Sequence, residues 1–517
     1  MKIVTTDQMR SIESHAVSLG ITEDSLMESA GLAIAKRVYQ LLQNTRGTRV
    51  LVLVGPGNNG GDGMVAGRYL SDWGALVTLY MASKFRREDK LSECEAKRSR
   101  TSEGNDDNEH WALSSYLAST DIILDAVFGI GSNRSIKDPI ASALKLVTEA
   151  KLNSNETYII SVDIPSGLNA DEGTVDPFTP YADLTLTLGA PKIGLFKFPG
   201  AERTGTVEVL DIGLSSTLGS EISLNLVDKD FVSVFLPKRH LDGHKGTFGR
   251  LSIIGGSVAF SGAPLFSAMA AYRMGAGLVS LAIPEEIHPI VASQLPEAIY
   301  LPLKSNEGTL GSSSVESVLK DIRGSESAVI GPGLGLNDFT VQFIHQLLSP
   351  VNYFDFPMVL DADALNNLAK IPNWYTRLLN ENVLTPHPGE MARLLGIDIK
   401  EIQSNRIYYA AEASLLWKQT VVLKGAHTVI ASPDGQVSLS PIANPALATA
   451  GTGDVLAGII GGLLCQGLSP HNAATLATYI HLQCADSFNQ KYGNSGLIAS
   501  DLINAIPIVV KELSQHT

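Results

Sequence analysis

The chain has 517 residues, 44% of them hydrophobic and 18% charged, and a formal net charge of −14. That apolar share excludes a disordered chain, and three cysteines far apart (Cys94, Cys465, Cys484) exclude a disulfide framework or a zinc knuckle. The acidic balance argues against general nucleic-acid or anionic-membrane binding, but not against a nucleotide, which meets only its local pocket.

At about 150 residues per domain, the length allows two large α/β domains or three smaller ones. Helices are predicted over Thr6–Ser18 and Glu23–Leu42. Strands are predicted over Arg49–Val54, Leu76–Tyr80, Ile122–Ala126, Tyr158–Asp163 and Leu184–Leu188. Each strand is nearly continuous in apolar residues, which suits strands covered on both faces. Arg86–His110 has little apolar content and reads as a solvated helix followed by a loop. The pattern restarts after Leu236-Pro237-Lys238-Arg239-His240, with strands at Arg250–Ile254, Ala328–Ile330, Met358–Asp361, Val383–Thr385 and Thr420–Lys424. This alternation predicts parallel sheets with right-handed crossovers in two α/β domains, joined near residues 215–235. Met1–Gly20 has no apolar signal core, and the longest apolar run, Val455–Cys465, is too short to span a bilayer. The chain reads as cytoplasmic, with no membrane or nucleic-acid partner.

Val50–Gly63 reads VLVLVGPGNNGGDG, a buried strand running into glycines and a helix predicted to begin near Met64. Glycines let the backbone approach a phosphate, and a helix start offers free N–H groups to an anion. Gly55, Gly57 and Gly60 match GxGxxG. Yet the second strand ends Leu79-Tyr80-Met81-Ala82-Ser83, without the acidic residue of a dinucleotide Rossmann site, and no GK[ST] follows to make a P-loop. Asn58, Asn59 and Asp62 add amides and a carboxylate that a plain phosphate loop does not need. Two later strand ends match them: Asp125 in IILDAVFGIGSNR, and Asp163 and Ser166 in ISVDIPSGL. Loops at the carboxyl ends of parallel strands share one crevice, so Asn59, Asp125, Asp163 and Ser166 are expected to converge. Their oxygens are hard ligands for a simple cation, and a carboxylate left over can act as general acid or base. For any one Asp a helix cap or turn is about as frequent a role; three strand ends together favour a site.

GNNGGDG, DAVFGIG and SVDIPSG resemble the N-terminal epimerase domain of the bifunctional NAD(P)H-hydrate repair enzymes, over Met1–Leu214. The resemblance implies that Asn58, Asn59, Gly60, Gly61 and Asp62, with Gly129, Ile130, Gly131, Ser132, Asn133, Arg134 and Ser135, contact the hydrated nicotinamide nucleotide. It implies a potassium ion (K+) held by Asn59, Asp125 and Ser166, and Asp163 as a catalytic, substrate-binding residue near the reacting carbon. Ile130-Gly131-Ser132 departs from the Thr-Gly pair expected there, while Gly129, Gly131 and Arg134 remain.

The second half carries NPALATAGTGDVLAG over Asn444–Gly458. Ala450-Gly451-Thr452-Gly453-Asp454 precedes a helix predicted over Val455–Cys465. Free N–H groups at that start would stabilise a developing anion, and Asp454 stands where a carboxylate can take a proton from a substrate hydroxyl. A capped helix with a flexible entry is the plainer reading. The string resembles the anion hole and base of the ribokinase-like superfamily. Other strings follow in order: HLDGHKGTFG (His240–Gly249), Gly255-Gly256-Ser257, Ser261-Gly262-Ala263-Pro264, GPGLG (Gly331–Gly335), Asp361-Ala362-Asp363-Ala364, TPHPGE (Thr385–Glu390) and Lys424-Gly425-Ala426-His427-Thr428. Together they are similar to the ADP/ATP-dependent NAD(P)H-hydrate dehydratase domain, over Phe231–Ile506.

This second resemblance implies ADP against Lys424, Gly425, Ala426, His427, Thr428 and Gly453. It implies the hydrated nucleotide against Ala263, Gly333, Gly335, His387 and the catalytic Asp454. Magnesium (Mg2+) would accompany ADP, with Glu390 and Asp363 as neighbours through water. On the residues alone, Lys424 follows a strand and can neutralise a phosphate as a point charge. His387 lies in a proline-flanked loop, and Cys465 and Cys484 read as core. The expected architecture is an N-terminal Rossmann-like parallel sheet over 1–225 and a C-terminal ribokinase-like α/β/α domain over 226–517. The expected enzyme joins an isomerase to a lyase: it interconverts the R and S forms of hydrated NADH or NADPH and dehydrates the S form with ADP. A homo-oligomer, a tetramer or larger, goes with that resemblance. Three rivals remain: an ATP-dependent small-molecule kinase with a separate nucleotide-binding domain, a Rossmann dehydrogenase disfavoured by the missing acidic residue after the second strand, and a non-catalytic nucleotide-binding scaffold.

Overall fold

The apolar runs become the central strands of two separate sheets. The computed structural model describes all residues except 44, 84–87, 96–98, 105–106, 108–109, 132–133, 154–156, 215–221, 353 and 516–517. The chain divides into two units, Lys2–Ile222 and Ser223–Thr517 with Met1. No described helix is long and apolar enough to cross a membrane.

The first unit holds β1 (Arg49–Val54), β2 (Leu76–Met81), β3 (Arg100–Glu103), β4 (Ile122–Ala126), β5 (Tyr158–Val162), β6 (Leu184–Leu188) and β7 (Thr206–Leu210). They form one parallel sheet in the order β3-β2-β1-β4-β5-β6-β7. The order reverses between β1 and β4, where the loops after neighbouring strands leave the sheet on opposite faces and open a crevice. The region read as helix then loop holds the helix Glu88–Glu95 and then the strand β3. β3 is a polar edge strand, so it has no apolar run to announce it.

The helix expected near Met64 starts six residues earlier and runs Asn58–Asp72, taking in the glycine string. A Cβ on Gly60 would stand 2.2 Å from the Gly55 carbonyl oxygen, and one on Gly63 2.4 Å from the Ala126 Cβ. These glycines bring the helix start down onto the ends of β1 and β4.

The second unit holds β8 (Leu224–Leu226), β9 (Arg250–Ile254), β10 (Leu278–Pro284), β11 (Ile299–Leu303), β12 (Ser305–Asn306), β13 (Thr309–Leu310), β14 (Ser327–Ile330), β15 (Met358–Leu360), β16 (Val383–Leu384), β17 (Thr420–Leu423), β18 (Val429–Ala431) and β19 (Val437–Leu439). Ten of them make a sheet ordered β11-β10-β9-β14-β15-β16-β17-β18-β19-β8, with a reversal point between β9 and β14. It is parallel from β11 to β17; β18 runs antiparallel to both neighbours. The expected boundary after residue 225 falls inside β8, which pairs with β19 and so belongs to the second sheet.

The helix expected over Val455–Cys465 is Thr452–Leu464, with Gly451 before it in the left-handed region at φ +89°. It is buried on every side beyond its first turn and packs against the helix Gly262–Met274. A Cβ on Gly458 would stand 2.2 Å from the Ser267 carbonyl oxygen, and one on Gly461 2.5 Å from Val329 Cγ2. Cys94, Cys465 and Cys484 are free and buried.

Helix propensity alone favours alanine over glycine in a helix interior by about 1 kcal/mol. Against the Ser267 backbone that preference reverses, because the added methyl overpacks a rigid neighbour. Gly458→Ala is expected to destabilise the second unit by about 1–3 kcal/mol, read as a lower denaturant midpoint. A midpoint equal to or above that of the unsubstituted chain would refute the close-approach argument.

Candidate active sites

Two clusters of polar side chains lie at the carboxyl ends of parallel strands, one at the β1–β4 reversal and one after β15, β16 and β17. In the first unit, Asp125 is the penultimate residue of β4 and fully buried. Its carboxylate accepts from Ser166 Oγ at 2.6 Å, from the Ser166 N–H at 2.9 Å, and more distantly from Ser161 Oγ and the Val127 N–H. All four donors are neutral. Burial raises the Asp125 pKa against the pull of those bonds. Ser166 Oγ in turn accepts from the Phe128 N–H at 2.9 Å.

Asn59, in the first turn of the helix Asn58–Asp72, is buried, and its Nδ2 has no hydrogen-bond partner among the described residues. Its side chain lies against Gly129, where a Cβ would meet it at 3.3 Å. Asn58 faces outward, as do Gly131, Arg134 and Ser135; Gly60, Gly61 and Asp62 are buried, and Gly129 and Ile130 are half-buried. Ser132 and Asn133 lie outside the described residues.

Asp163 follows β5 with φ +67°, a strained setting for a residue with a side chain. Its Oδ1 takes the Lys192 ammonium, the Leu188 N–H at 3.1 Å and Thr187 Oγ1 at 3.3 Å. Its Oδ2 makes no hydrogen bond among the described residues. Lys192 is 1% exposed and also donates to the Leu188 carbonyl at 3.0 Å. Burial, then the Asp163 and Glu13 carboxylates, hold the Asp62 carboxyl well above the ordinary range, against the pull of Lys192. Burial raises Glu13 as well, with Lys192 pulling down and Asp163 pushing up. Sequence reading missed Lys192 and Glu13. The one signal for Lys192 is a lone charge within an otherwise apolar stretch, Leu188–Phe196.

In the second unit the loops after β9 and β14 meet. A Cβ on Gly333, at φ +67°, would stand 2.8 Å from the Phe260 carbonyl oxygen and 3.1 Å from the Ala263 Cβ. The Gly335 N–H donates to Asp363 Oδ2 at 2.8 Å, which ties this loop to the segment after β15. At the end of β15, buried Asp361 accepts from Lys424 Nζ at 2.6 Å, and Glu390 Oε2 lies 3.9 Å from the same ammonium. A Cβ on Gly453 would be 3.6 Å from Lys424 Nζ. Lys424 therefore stands at the start of the helix Thr452–Leu464. Asp454 is the third residue of that helix. The N–H groups of Ala450, Gly451, Gly453 and Asp454 have no protein acceptor among the described residues.

Burial, then the Asp361 carboxylate, push the Asp454 pKa up to about 7, with Lys424 pulling it down. Burial also takes Glu390 up to about 7, against Lys424 and with Asp361. Burial works against the Lys424 ammonium, but Asp361 and Glu390 outweigh it and raise its pKa. His387 caps the helix Pro388–Leu395: its Nδ1 accepts from the N–H groups of Gly389 and Glu390 at 3.0 and 3.3 Å. Burial, Lys424 and Arg393 lower its pKa, so the ring is neutral at pH 7 with its proton on Nε2.

In the Lys424–Thr428 segment, Gly425 and Ala426 are exposed. His427 turns inward, with its Nδ1–H on the Ser440 carbonyl at 3.1 Å and its pKa lowered by burial to about 4. Thr428 Oγ1 closes the turn on the Gly425 carbonyl at 2.9 Å. Arg406, which sequence reading missed, donates to the carbonyls of Leu423 and Lys424 at 3.0 and 3.2 Å.

Comparisons with known proteins agree with both halves. Residues 251–508 match the family described as NAD(P)H-hydrate dehydratase, and residues 23–194 that described as YjeF-related protein N-terminus. The bifunctional NAD(P)H-hydrate repair enzyme Nnr of Moorella thermoacetica is 36% identical over 100% of this chain and 98% of its own length. The protein of the same name from Escherichia coli is 36% identical over 98% of this chain and 93% of its own. Among solved structures, a ribokinase-like superfamily protein of Enterococcus faecalis matches with a TM-score of 0.50 and 25% identity, covering 57% of this chain and 97% of its own. The second unit thus has a ribokinase-like fold, and the chain belongs to the bifunctional NAD(P)H-hydrate repair enzymes.

Proposed function

We propose that the chain returns hydrated NADH and NADPH to their working form. The second unit dehydrates the S epimer with ADP, and the first unit interconverts the R and S epimers. The observation that carries this reading is Asp454 in the first turn of the helix Thr452–Leu464, beside Lys424 and four backbone N–H groups that have no acceptor among the described residues.

The hydrated ring bears a hydroxyl at C6, and hydroxide is a poor leaving group. Asp454 takes the hydroxyl proton while the oxygen attacks the β-phosphorus of ADP, forming a phosphate ester and releasing AMP. The N–H groups of Ala450, Gly451, Gly453 and Asp454 and the Lys424 ammonium bear the charge on the transferring group. Loss of the C5 proton and of phosphate then restores the ring double bond. Neutral His387 offers Nε2–H, and Ala263, Gly333 and Gly335 line the side on which the hydrated nucleotide lies. Asp361, Glu390 and Asp454 act on the one Lys424 ammonium, a surplus of negative charge, but no three His, Cys, Asp or Glu side chains among the described residues form a metal site by themselves, so a divalent cation here would rest mainly on the diphosphate. Magnesium there would neutralise diphosphate charge, with Asp363 and Glu390 nearest through water.

Epimerisation opens and re-forms the C6 centre, with Asp163 Oδ2 moving the proton and Lys192 holding Oδ1. Asn58–Asp62 and the Gly129–Ser135 loop, with Arg134, bind the nucleotide. Asp125 is a buried carboxylate met only by neutral donors, beside the Ser166 hydroxyl, which fits a potassium ion completed by Asn59. Potassium would order the loops after β1, β4 and β5 for the nucleotide phosphates. Three free, buried cysteines suit a reducing cytosol.

Purified protein with racemic hydrated NADH should regain reduced-cofactor absorbance only when ADP is added; ATP-driven phosphorylation of a stable alcohol instead would favour a kinase. Asp454→Asn should lower dehydration by roughly 10²–10⁴-fold and spare epimerisation. In the unsubstituted chain, dehydration should rise with pH through about 7, as Asp454 becomes the free base. The sign for stability is opposite. A folded-state pKa raised above the unfolded value adds stability at low pH that is lost as pH rises through about 7. Asp454→Asn should therefore raise the unfolding midpoint of the second unit at pH 8, with the difference shrinking toward pH 4.

Asp163→Asn and Lys192→Met should each leave repair stalled with the R epimer unconsumed, while dehydration of pure S epimer continues. Equal use of both epimers by either variant would remove these residues from the site. Epimerisation by the unsubstituted chain should be faster in potassium than in tetramethylammonium buffers, and Asp125→Asn should abolish that difference.

A further inference from the structure

The first turn of the helix Thr452–Leu464 is held from three sides. Thr452 Oγ1 donates to the carbonyls of Leu447 and Thr449, both at 2.9 Å. Ser267 Oγ donates to the Asp454 carbonyl at 2.8 Å. The third tie comes from His481, on the helix Pro470–Tyr492, whose Nε2 lies 2.9 Å from the Thr452 carbonyl oxygen. A carbonyl only accepts, so Nε2 carries the proton. His481 is 7% exposed and stands between Ile480 and Leu482 in a helix buried along that stretch. Burial lowers its pKa to about 4, so the ring is neutral and Nδ1 is bare at physiological pH. An apolar side chain would cost less at such a position unless this bond were needed.

The Thr452 carbonyl and the Gly453 N–H are the two ends of one planar trans peptide, and they point in opposite directions. A donor fixed on the carbonyl aims the N–H the other way. It also polarises the amide, which makes the N–H a stronger donor. Gly453 N–H is one of the groups without a protein acceptor among the described residues, and a Cβ on Gly453 would stand 3.6 Å from the Lys424 ammonium. We infer that His481 is a positioning residue for phosphoryl transfer: its Nε2–H on the Thr452 carbonyl orients and polarises the Gly453 N–H toward the transferring group. The inference rests on the dehydratase reading above. Backbone donors cannot be removed by ordinary substitution, and His481 is the side chain through which this one can be weakened.

Full-length chains carrying His481→Leu and His481→Gln are compared with the unsubstituted chain in ADP-dependent dehydration of the S epimer. His481→Leu is expected to lower kcat roughly tenfold, a fraction of what losing a whole oxyanion donor costs, with KM for ADP changed less than about twofold. His481→Gln, whose side-chain amide can donate to the same carbonyl, should recover most of kcat. Epimerisation should be unaltered in both. An unchanged kcat in His481→Leu overturns the inference. So does a fall in kcat matched by a rise in KM for ADP and not rescued by Gln, which marks a merely structural role. Absence of ADP-dependent dehydration in the unsubstituted chain defeats the underlying reading instead. Should His481→Leu fail to fold, the unsubstituted chain decides. Adding ADP with aluminium fluoride, a phosphoryl mimic, should move the His481 Nε2–H resonance downfield, because the peptide is then polarised from both ends. A stationary resonance overturns the inference.

Discussion

One lysine ammonium makes a crowd of carboxylates tolerable at each candidate site. Burying a charge costs several kcal/mol unless it is paired, and a lysine can be close to only one or two partners. Lys424 is spent on Asp361 and, at longer range, on Glu390. Burial, helped by the Asp361 carboxylate, still pushes Asp454 and Glu390 up to about 7 against the pull of Lys424. In the first unit Lys192 is spent on Asp163, and burial pushes the Asp62 carboxyl well up. Groups with environments driven apart in this way are suited to exchanging a proton at neutral pH. An evenly paired network of the same residues would be more stable and chemically idle.

That crowding requires short loops and helix starts brought close to the sheet. Glycine supplies it by removing volume. Gly60 and Gly63 seat one helix start over β1 and β4, and Gly458 and Gly461 bring the Thr452–Leu464 backbone against its neighbours. Helix starts thereby come to lie close over the carboxyl ends of the parallel strands.

The sequence is most legible where both faces of an element are covered. β1, β4, β5 and β6 are largely apolar and stand out as strands. β3 is a polar edge, β18 and β19 span three residues each, and none of these has a period to read. β10 is apolar, but only Gly275-Ala276-Gly277 separates it from the helix Gly262–Met274, so the two runs merge on the page. Both key helices were expected too late because glycine is a poor helix former, and nothing local reveals the backbone it must approach. The candidate residues Asp125, Asp163, Ser166 and Asp454 stand out as polar groups closing apolar strands or opening helices, whereas Asp361 gains its meaning only from the Lys424 ammonium it meets. Lys192, Arg406 and His481 act from elsewhere in the chain, and their meaning lies in partners 29, 18 and 29 residues away.

β8 follows directly on the break between the units, yet it forms the last strand of the second sheet, beside β19. An uncovered outer strand invites pairing with another molecule, and proteins commonly cap or shorten such borders. The segment that joins the two enzymes thus also serves as the selvedge of the second. A gene split at the apparent midpoint would unravel that border, so separating the two activities, in evolution or at the bench, has to leave the connecting strand with the C-terminal part.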